Sequence, residues 1–392
     1  MKVIKIGGGC FKDEEAACQI VDLIEERGGG NIFVLSAFSG VTDLIVSGID
    51  TALSSEDGIF PLIEELAARH HAFAERLIKS GGELEKLKAE LSDTLKKIER
   101  FYFGINFTRE ATPRMKDILA SFGERLSASI VTASLKSRGK KAACIYPHKA
   151  GLITDGKYSD ATARIKKTAE NLKPVVEPLV SRKEIIFIPG FYGISESGEI
   201  TTFGRGGSDY SAAAVAAAVG ADILEIWKDT EGFMTADPDN IANPKLIPRL
   251  NYMEAAELAY TGAGILHPRT VEPVRKSKID IAIKNTYNPD AEGSLITRSG
   301  GKTESVIKSV SYTRDIAVLK IHASGIGARP GILSTITGSL SNKNINIKSV
   351  LTSQTCISLL VSKKDIDVSQ AEIQKIKPRP YRRTEKNRNV AL

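Results

Sequence analysis

The sequence has few of the residues that mark secreted, metal-binding or membrane-spanning proteins. Its four cysteines, Cys10, Cys18, Cys144 and Cys356, lie far apart, with no Cys-x-x-Cys pair. This argues against a zinc site or a disulfide framework and fits a reducing cytoplasm. No window approaches the roughly 18 consecutive apolar residues of a membrane span. The N-terminus starts directly with a strand-like run instead of a basic and then apolar leader, so we expect a cytoplasmic protein.

A strong excess of one charge sign is also missing from most of the chain. The net charge is +7 over 392 residues. Residues 375–392 contain seven basic residues and one acidic residue, a balance of +6, so the rest of the chain is nearly neutral. A nucleic-acid-binding protein would carry a basic face on its main body. We therefore expect no nucleic-acid partner, and a basic, disordered tail over residues 377–392.

Strand-like and helical patterns alternate along the first 230 residues. Because strand–helix–strand alternation favours a parallel sheet covered by helices, we predict an α/β fold, with a mostly parallel sheet sandwiched by helices. The predicted strands cover residues 3–6, 31–36, 142–146, 184–188 and 223–227. The predicted helices between them cover residues 13–26, 122–137 and 208–219.

Residues 61–103 interrupt this alternation with a helical insertion. Leu84, Leu87, Leu91, Leu95 and Ile98 recur at steps of three and four among lysines and glutamates, which is typical of an amphipathic helix. The apolar stripe can pack on the domain beside it or form a subunit interface. We favour packing within the domain.

A second domain follows a composition change over residues 288–303, which are rich in Asn, Pro, Gly, Ser and Lys. The boundary divides the chain into residues 1–300 and 304–376. The second part reads β–α–β–β–α, most of a ferredoxin-like unit without its closing strand.

Two glycine-rich loops are the strongest candidates for binding a phosphate. Lys5 lies inside the first strand, where a charge facing an apolar core is costly unless it is paired, and Gly7, Gly8 and Gly9 follow. The second loop, FGRGGSD at residues 203–209, leads into an alanine-rich helix whose N-terminus suits an anion. A simple turn and a capped helix are the structural alternatives. The chain has neither a P-loop nor a strand-following G-x-G-x-x-G motif.

Further polar residues follow predicted strands or begin helices. Ser36 and Thr42 lie in SAFSGVTDL, Glu124 in SFGERLSAS, and Lys228 and Asp229 directly after a strand. The carboxyl ends of parallel strands are where ligands bind in such sheets. For Ser36, Thr42 and Glu124, helix capping or a solvent-exposed charge is the structural alternative. His267, before a proline, has no nucleophile partner, and we assign it a structural role.

Together these stretches resemble aspartate kinases of the amino-acid kinase family. The resemblance rests on six stretches: KIGGG at 5–9, SAFSGVTDL at 36–44, GERLSA at 123–128, FGRGGSDYSA at 203–212, EIWKDTEGFMTADP at 225–238 and GAGILHPRTVE at 262–272. Residues 316–375, with the GARPGIL loop, resemble an ACT regulatory domain. The resemblance implies transfer of the ATP γ-phosphoryl group to the side-chain carboxylate of L-aspartate, which gives 4-phospho-L-aspartate, the first step toward lysine, methionine and threonine.

The resemblance also implies a role for each candidate residue. Lys5 would neutralise the transferring phosphoryl group, and Asp209 would hold Lys5 by ion pairing. Arg205 would bind the α-carboxylate of aspartate and Glu124 its α-ammonium group. The remaining residues of the amino-acid pocket would be Thr42 and Ser208. The phosphate path would be lined by Gly7, Gly8 and Ser36, and the nucleotide, with its Mg²⁺, would lie along Lys228, Asp229 and Met234. No protein metal ligand is expected.

The sequence departs from the family pattern mainly on the nucleotide side. Gly9 and Cys10 replace the usual Thr-Ser or Ser-Ser pair, and Lys228 replaces a threonine. Asp239 and Gly264 stand where the family usually has cations that contact ATP. A catalytically weak amino-acid-binding homologue, or a kinase of another acyl acceptor, is therefore an alternative. The ACT-like segment further implies a homo-oligomer and an amino-acid effector, bound near residues 325–331.

Overall fold

The apolar run at residues 3–6 forms the central strand of a large sheet. The computed structural model describes residues 1–79, 81–261, 265–301, 307–322 and 330–376. They belong to two compact units, Met1–Val310 and Ser311–Leu392. The strands of the first unit are β1 (Val3–Ile6), β2 (Ile32–Leu35), β3 (Ala142–Cys144), β4 (Ile185–Pro189), β5 (Tyr192–Ile194), β6 (Ile200–Thr202), β7 (Ile223–Lys228), β8 (Arg249–Asn251), β9 (Asp280–Asn285) and β10 (Ser294–Thr297).

Within the described residues, eight of these strands pair in the order β3-β4-β2-β1-β7-β9-β10-β8, and β5 and β6 form a separate hairpin. Every pair in the large sheet is parallel except β9 with β10. Lys5 of β1 lies opposite Val34 of β2 and Ile226 of β7. The carboxyl ends of these three adjacent strands therefore meet at one edge, where ligands bind in such sheets.

Helices cover both faces of the sheet, and this confirms the predicted α/β class. Alternate strand residues supply the two cores: Ile4 and Phe33 face one apolar cluster, whereas Val3 and Ile32 face the other. The helices of the first unit are α1 (Glu14–Arg27), α2 (Val41–Ser54), α3 (Ile59–Leu77), α4 (Gly81–Thr108), α5 (Pro113–Ala120), α6 (Phe122–Ser137), α7 (Pro147–Ala150), α8 (Ile165–Ser181), α9 (Gly207–Val219), α10 (Tyr252–Thr261) and α11 (Val271–Ser277). None of the helices in the described ranges is both long and apolar enough to cross a bilayer.

The helical insertion consists of two helices, α3 and α4, and extends beyond residues 61–103 at both ends. Ile78 is extended and ends α3, and α4 begins at Gly81. Leu87, Leu91 and Ile98 are buried in the core that α1, α2 and α6 share. The apolar stripe is thus covered by the chain itself.

The second unit has the predicted β–α–β–β–α order. Its elements are β11 (Ala317–His322), α12 (Ile332–Ser341), β12 (Ile347–Thr352), β13 (Cys356–Val361) and α13 (Ile366–Gln374). The strands form an antiparallel sheet in the order β11-β13-β12. The last helix begins at Ile366, earlier than the predicted Ser369. The predicted tail, residues 377–392, and residues 325–329 of the predicted effector loop lie outside the described residues.

Gly48 of α2 provides a test of the helical layer. A Cβ atom at this position would collide with the Leu62 side chain and lie 2.6 Å from the Tyr102 hydroxyl oxygen. Alanine normally stabilises a helix by up to about 1 kcal/mol over glycine, but overpacking costs about 1–3 kcal/mol. We expect Gly48→Ala to lower the free energy of unfolding, measured with urea.

Gly104 of α4 is the matched control, because a Cβ atom there would meet nothing within 4 Å. Gly104→Ala should keep or raise the free energy of unfolding. Equal effects of the two substitutions would contradict the described packing of α2 on α3 and α4.

Candidate active site

A buried ion pair joins the central strand to the N-terminus of α9. Lys5 Nζ lies 2.6 Å from Asp209 Oδ1, and both side chains are only 7% exposed. Gly7 follows β1 directly, and a Cβ atom on it would lie 3.3 Å from Lys5 Nζ. Because Gly7 has no side chain, the loop can lie directly over the Lys5 ammonium group. This geometry suits an anion bound by the loop and by Lys5 together.

Lys228 brings a second cation to the same carboxylate. It ends β7, and its Nζ lies 3.6 Å from Asp209 Oδ2. Burial lowers the pKa of Lys228, although the charge of Asp209 opposes this. Burial alone would raise the pKa of Asp209, but the charges of Lys5 and Lys228 hold it below its usual value. Two ammonium groups thus flank one carboxylate, and the three groups carry one net positive charge.

A cavity of about 270 Å³ opens beside the first glycine loop. It is lined by Gly8, Gly9, Ser36, Ala37, Phe38, Ser39, Gly40, Thr42, Asp43 and Glu124. Four of the candidate residues from the sequence, Gly8, Ser36, Thr42 and Glu124, therefore share one space. They come from the ends of β1 and β2 and from the starts of α2 and α6.

Glu124 is the buried acid of this cavity. Its Oε1 accepts a hydrogen bond from Ser208 Oγ at 3.3 Å, whereas its Oε2 is buried with no hydrogen-bond partner among the described residues. Burial raises the pKa of Glu124 to about 8. A buried carboxyl oxygen without a donor costs free energy, and a bound ammonium group would supply that donor.

Arg205 does not line the cavity of Glu124. It is exposed, between Gly204 (φ 73°) and Gly206 (φ 68°), and it lines a second cavity of about 430 Å³. Helix α2 contributes to both cavities: Thr42 lines the first, and Ile49 lines the second. The amino-acid pocket expected from the sequence is therefore divided between two spaces along α2.

The loop of Arg205 is packed tightly on both sides. A Cβ atom at Gly204 would lie 2.6 Å from the Ser159 carbonyl oxygen, and one at Gly206 would collide with the ring of His267. His267 thus packs against the loop, which agrees with a structural role. Burial lowers the pKa of His267. Arg269 donates to the carbonyl oxygens of Phe203 and Ala161, at 3.0 and 2.7 Å.

Sequence reasoning missed Phe191 and Asp117, which both line the second cavity. Phe191 has a φ of 73°, which is uncommon for a bulky residue, and it packs against Gly207. Its position after β4, at the carboxyl end of a parallel strand, is a signal that could have indicated it. Asp117 lies on α5, and the sequence around it has the pattern of an ordinary helix, so it gives no signal of a functional residue.

The residues expected to contact the nucleotide do not share one cavity. Asp229 is exposed, and its Oδ2 lies 3.2 Å from the position that a Cβ atom on Gly9 would take. Met234 is half-buried, pairs with Leu246 and lines neither cavity. Asp239 is exposed, and Gly264 lies outside the described residues. The described residues contain no group of three or more potential metal ligands.

The fold has clear counterparts among known proteins. A model of the amino acid kinase family matches residues 1–285. The chain belongs to the amino acid kinase family. An ACT domain model matches residues 311–370.

Among members of this family, the chain is 31% identical to aspartokinase 1, chloroplastic, of Arabidopsis thaliana, over 91% of its own length and 62% of the relative's. It is 30% identical to a bifunctional aspartokinase/homoserine dehydrogenase of Haemophilus influenzae, over 95% of its length and 46% of the relative's. The chain thus spans about half to two thirds of the length of these curated relatives.

Solved structures of family members superpose well. E. coli aspartokinase III, in complex with aspartate and ADP, gives a TM-score of 0.81 at 27% identity, with 93% of this chain and 79% of that chain covered. The aspartate kinase of Clostridium acetobutylicum gives 0.75 at 25% identity, with 96% and 82% covered.

Glu124→Gln tests the electrostatics of the first cavity. A carboxyl group whose pKa is raised on folding contributes stability that is complete below its unfolded pKa and is lost as the pH rises through the folded value. The folded pKa of Glu124 is about 8 and its ordinary value is 4.5. Relative to Glu124→Gln, the parent's free energy of unfolding should fall by up to about 1.4 kcal/mol per pH unit from about pH 5 to pH 8, and level off above.

Urea unfolding at several pH values measures this difference. Glu85→Gln, on an exposed part of α4, controls for the substitution itself. A difference between parent and Glu124→Gln that stays constant with pH would contradict the raised pKa.

Proposed function

We propose that the chain is an ATP-dependent aspartate kinase. It transfers the γ-phosphoryl group of ATP to the side-chain carboxylate of L-aspartate, giving ADP and 4-phospho-L-aspartate. The observation that carries the proposal is the buried Lys5–Asp209 pair beneath the glycine loop, next to the cavity of Glu124. The aspartokinases among the curated relatives, and the aspartate and ADP bound by the E. coli enzyme, support the choice of substrates.

Lys5 is the proposed catalytic cation. A carboxylate oxygen of aspartate attacks the γ-phosphorus, a new O–P bond forms, and the bond to the β-γ bridging oxygen breaks as ADP leaves. Negative charge on the transferring group is stabilised by the Lys5 ammonium, which Asp209 holds in place. The attacking carboxylate is already ionised, so no general base is required.

Glu124 and Arg205 are proposed to bind the α-ammonium and α-carboxylate groups of aspartate. The unpartnered Oε2 of Glu124 suits the α-ammonium group, which would favour the ionised carboxylate. Arg205 suits the α-carboxylate through a two-pronged bond, reached from the second cavity. Thr42, which lines the first cavity, and Ser208, which donates to Glu124, complete the pocket.

The nucleotide phosphates are proposed to lie over Gly7, Gly8 and Ser36, with Lys228, Asp229 and Met234 along the nucleotide. Lys228, at the end of β7, places a cation at the site. At residue 239, where the family usually has a cation, this chain has an exposed aspartate. Mg²⁺ would neutralise phosphate charge in the complex. Such an ion is usually held mainly by phosphate oxygens and water.

A coupled assay of ADP release tests the function. L-aspartate should support turnover, and glutamate, N-acetylglutamate and nucleoside monophosphates should support little. A catalytically silent homologue would release no ADP with any acceptor, and a kinase of another acyl group would prefer a different one. Either result would overturn the proposal.

Lys5→Met should lower turnover by at least about a hundredfold, because the transition state loses its cation. The variant should still fold, since Asp209 keeps Lys228 nearby, and thermal unfolding checks this. Lys2→Met is the matched control: Lys2 precedes the same strand but pairs with Glu225, away from Asp209. A folded Lys5→Met variant with parental turnover would refute the catalytic role.

The second unit is proposed to mediate homo-oligomerisation and to bind an amino-acid effector. Strand β12 lies at an edge of the described sheet, and its Leu351 is 60% exposed. Exposed apolar edge strands favour pairing with another chain. We expect light scattering to show an oligomer that becomes smaller when residues 311–392 are removed and when Leu351→Lys is introduced.

Val368→Lys, on α13 of the same unit, is the control for an added charge, since Val368 is also exposed. An unchanged oligomer in the truncated chain would show that assembly uses other surfaces.

A further inference from the structure

Asp117 is a buried carboxylate that the proposed reaction does not use. It lies on α5, and the residue is 2% exposed. Its Oδ2 accepts hydrogen bonds from the backbone N–H groups of Ser159 and Thr202, at 2.9 and 2.8 Å. Its Oδ1 accepts from the hydroxyl groups of the same two residues, each at 3.0 Å. Both carboxylate oxygens are thus committed to these two residues.

These two residues lie on either side of the Arg205 loop. Thr202 ends β6, three positions before Arg205. Ser159 is distant in sequence, and its carbonyl oxygen packs against Gly204, where a Cβ atom would lie 2.6 Å away. Asp117 therefore clamps the strand that enters the loop to the segment on which the loop rests.

Asp117 is also linked to Glu124 along the chain, through two consecutive helices. Helix α5 ends at Ala120 and α6 begins at Phe122, with only Ser121 between them. Ser121 stays in the helical region and its N–H donates to the Asp117 carbonyl oxygen at 3.1 Å. Because helical segments are stiff, a group on α5 has a defined position relative to Glu124 on the first turn of α6.

We propose that Asp117 is a positioning residue that sets the spacing between Glu124 and Arg205. It would thereby determine the affinity for an α-amino acid that presents an ammonium group to one and a carboxylate to the other. The inference rests on the proposed function, because it takes Glu124 and Arg205 as the two substrate contacts. Charge-assisted hydrogen bonds from four donors hold the geometry more rigidly than the flexible glycines of the loop could.

Asp117→Asn is the direct test, because the amide retains the size of the side chain but can accept on only one atom. We expect the KM for aspartate to rise about tenfold, since the loss of one or two charge-assisted bonds costs enough free energy to loosen the loop. The KM for ATP should stay within about twofold, since the phosphate loop is held separately by β1. Thr202→Val and Ser159→Ala each remove one hydroxyl donor and should raise the KM for aspartate less. If Asp117→Asn does not fold, these two variants provide the test instead.

Two comparisons separate positioning from a general structural or electrostatic effect. Asp93 is exposed on α4 and lines neither cavity, so Asp93→Asn removes the same charge without touching the clamp or the pocket. Its KM for aspartate should equal the parent's. In an Arg205→Ala background, Asp117→Asn should add little to the raised KM, because a residue that acts through Arg205 has no effect once Arg205 is gone.

Four outcomes would overturn the inference. They are an unchanged KM for aspartate in all three clamp variants, an equal rise in the KM for ATP, an equal effect of Asp93→Asn, and full additivity with Arg205→Ala. Each of these leaves the proposed function standing, because the parent still phosphorylates aspartate. A parent that releases no ADP with aspartate would refute the proposed function, and this inference with it.

Discussion

The ion pair between Lys5 and Asp209 is the interaction on which the candidate site depends. Both groups are almost fully buried, so their desolvation cancels much of the attraction between them, and such a pair is weak evidence for stability. Replacing it with apolar residues would suit the core equally well. Its presence beneath a loop of glycines, at the carboxyl edge of a parallel sheet, is better explained by anion binding. The pair holds a cation at a fixed point, where a solvent-exposed lysine would be mobile.

The order of the strands brings this pair together from distant parts of the chain. β1 is central, with β2 on one side and β7 on the other, so Gly7, Ser36 and Asp229 follow three adjacent strand ends. The alanine-rich α9 packs closely on the same region of the sheet, and its first turn presents Asp209 to Lys5. Small side chains on α9 permit this approach. The first glycine loop and the helix that follows the second loop therefore meet because of topology, although about 200 residues separate them.

Much of this could be predicted from the sequence, because the signals are local. The alternation of strands and helices, the β–α–β–β–α order of the second unit and the helix after residue 206 all follow from short-range patterns. The pairing of Lys5 with Asp209 followed from a family resemblance and the cost of a lone buried charge. The placement of Arg205 in a separate cavity did not follow, because it depends on how two glycines with positive φ orient the loop. The four bonds of Asp117 join three segments that no local pattern relates.

Charge balance links the two sides of the site. Two ammonium groups share the Asp209 carboxylate, and burial raises the pKa of Glu124 to about 8 and so favours its neutral form near neutral pH. The candidate site therefore has an excess of positive charge around Asp209 and, at Glu124, a buried carboxyl oxygen without a hydrogen-bond donor among the described residues. In the proposed complex, a phosphate group would offset this positive charge, and an ammonium group would supply the donor and favour ionisation of Glu124. Lys228 matters in this balance because it ends a buried strand. A cation held there loses less side-chain freedom on binding an anion than one on an exposed loop such as that of Asp239, and this agrees with the proposed place of Lys228 along the nucleotide.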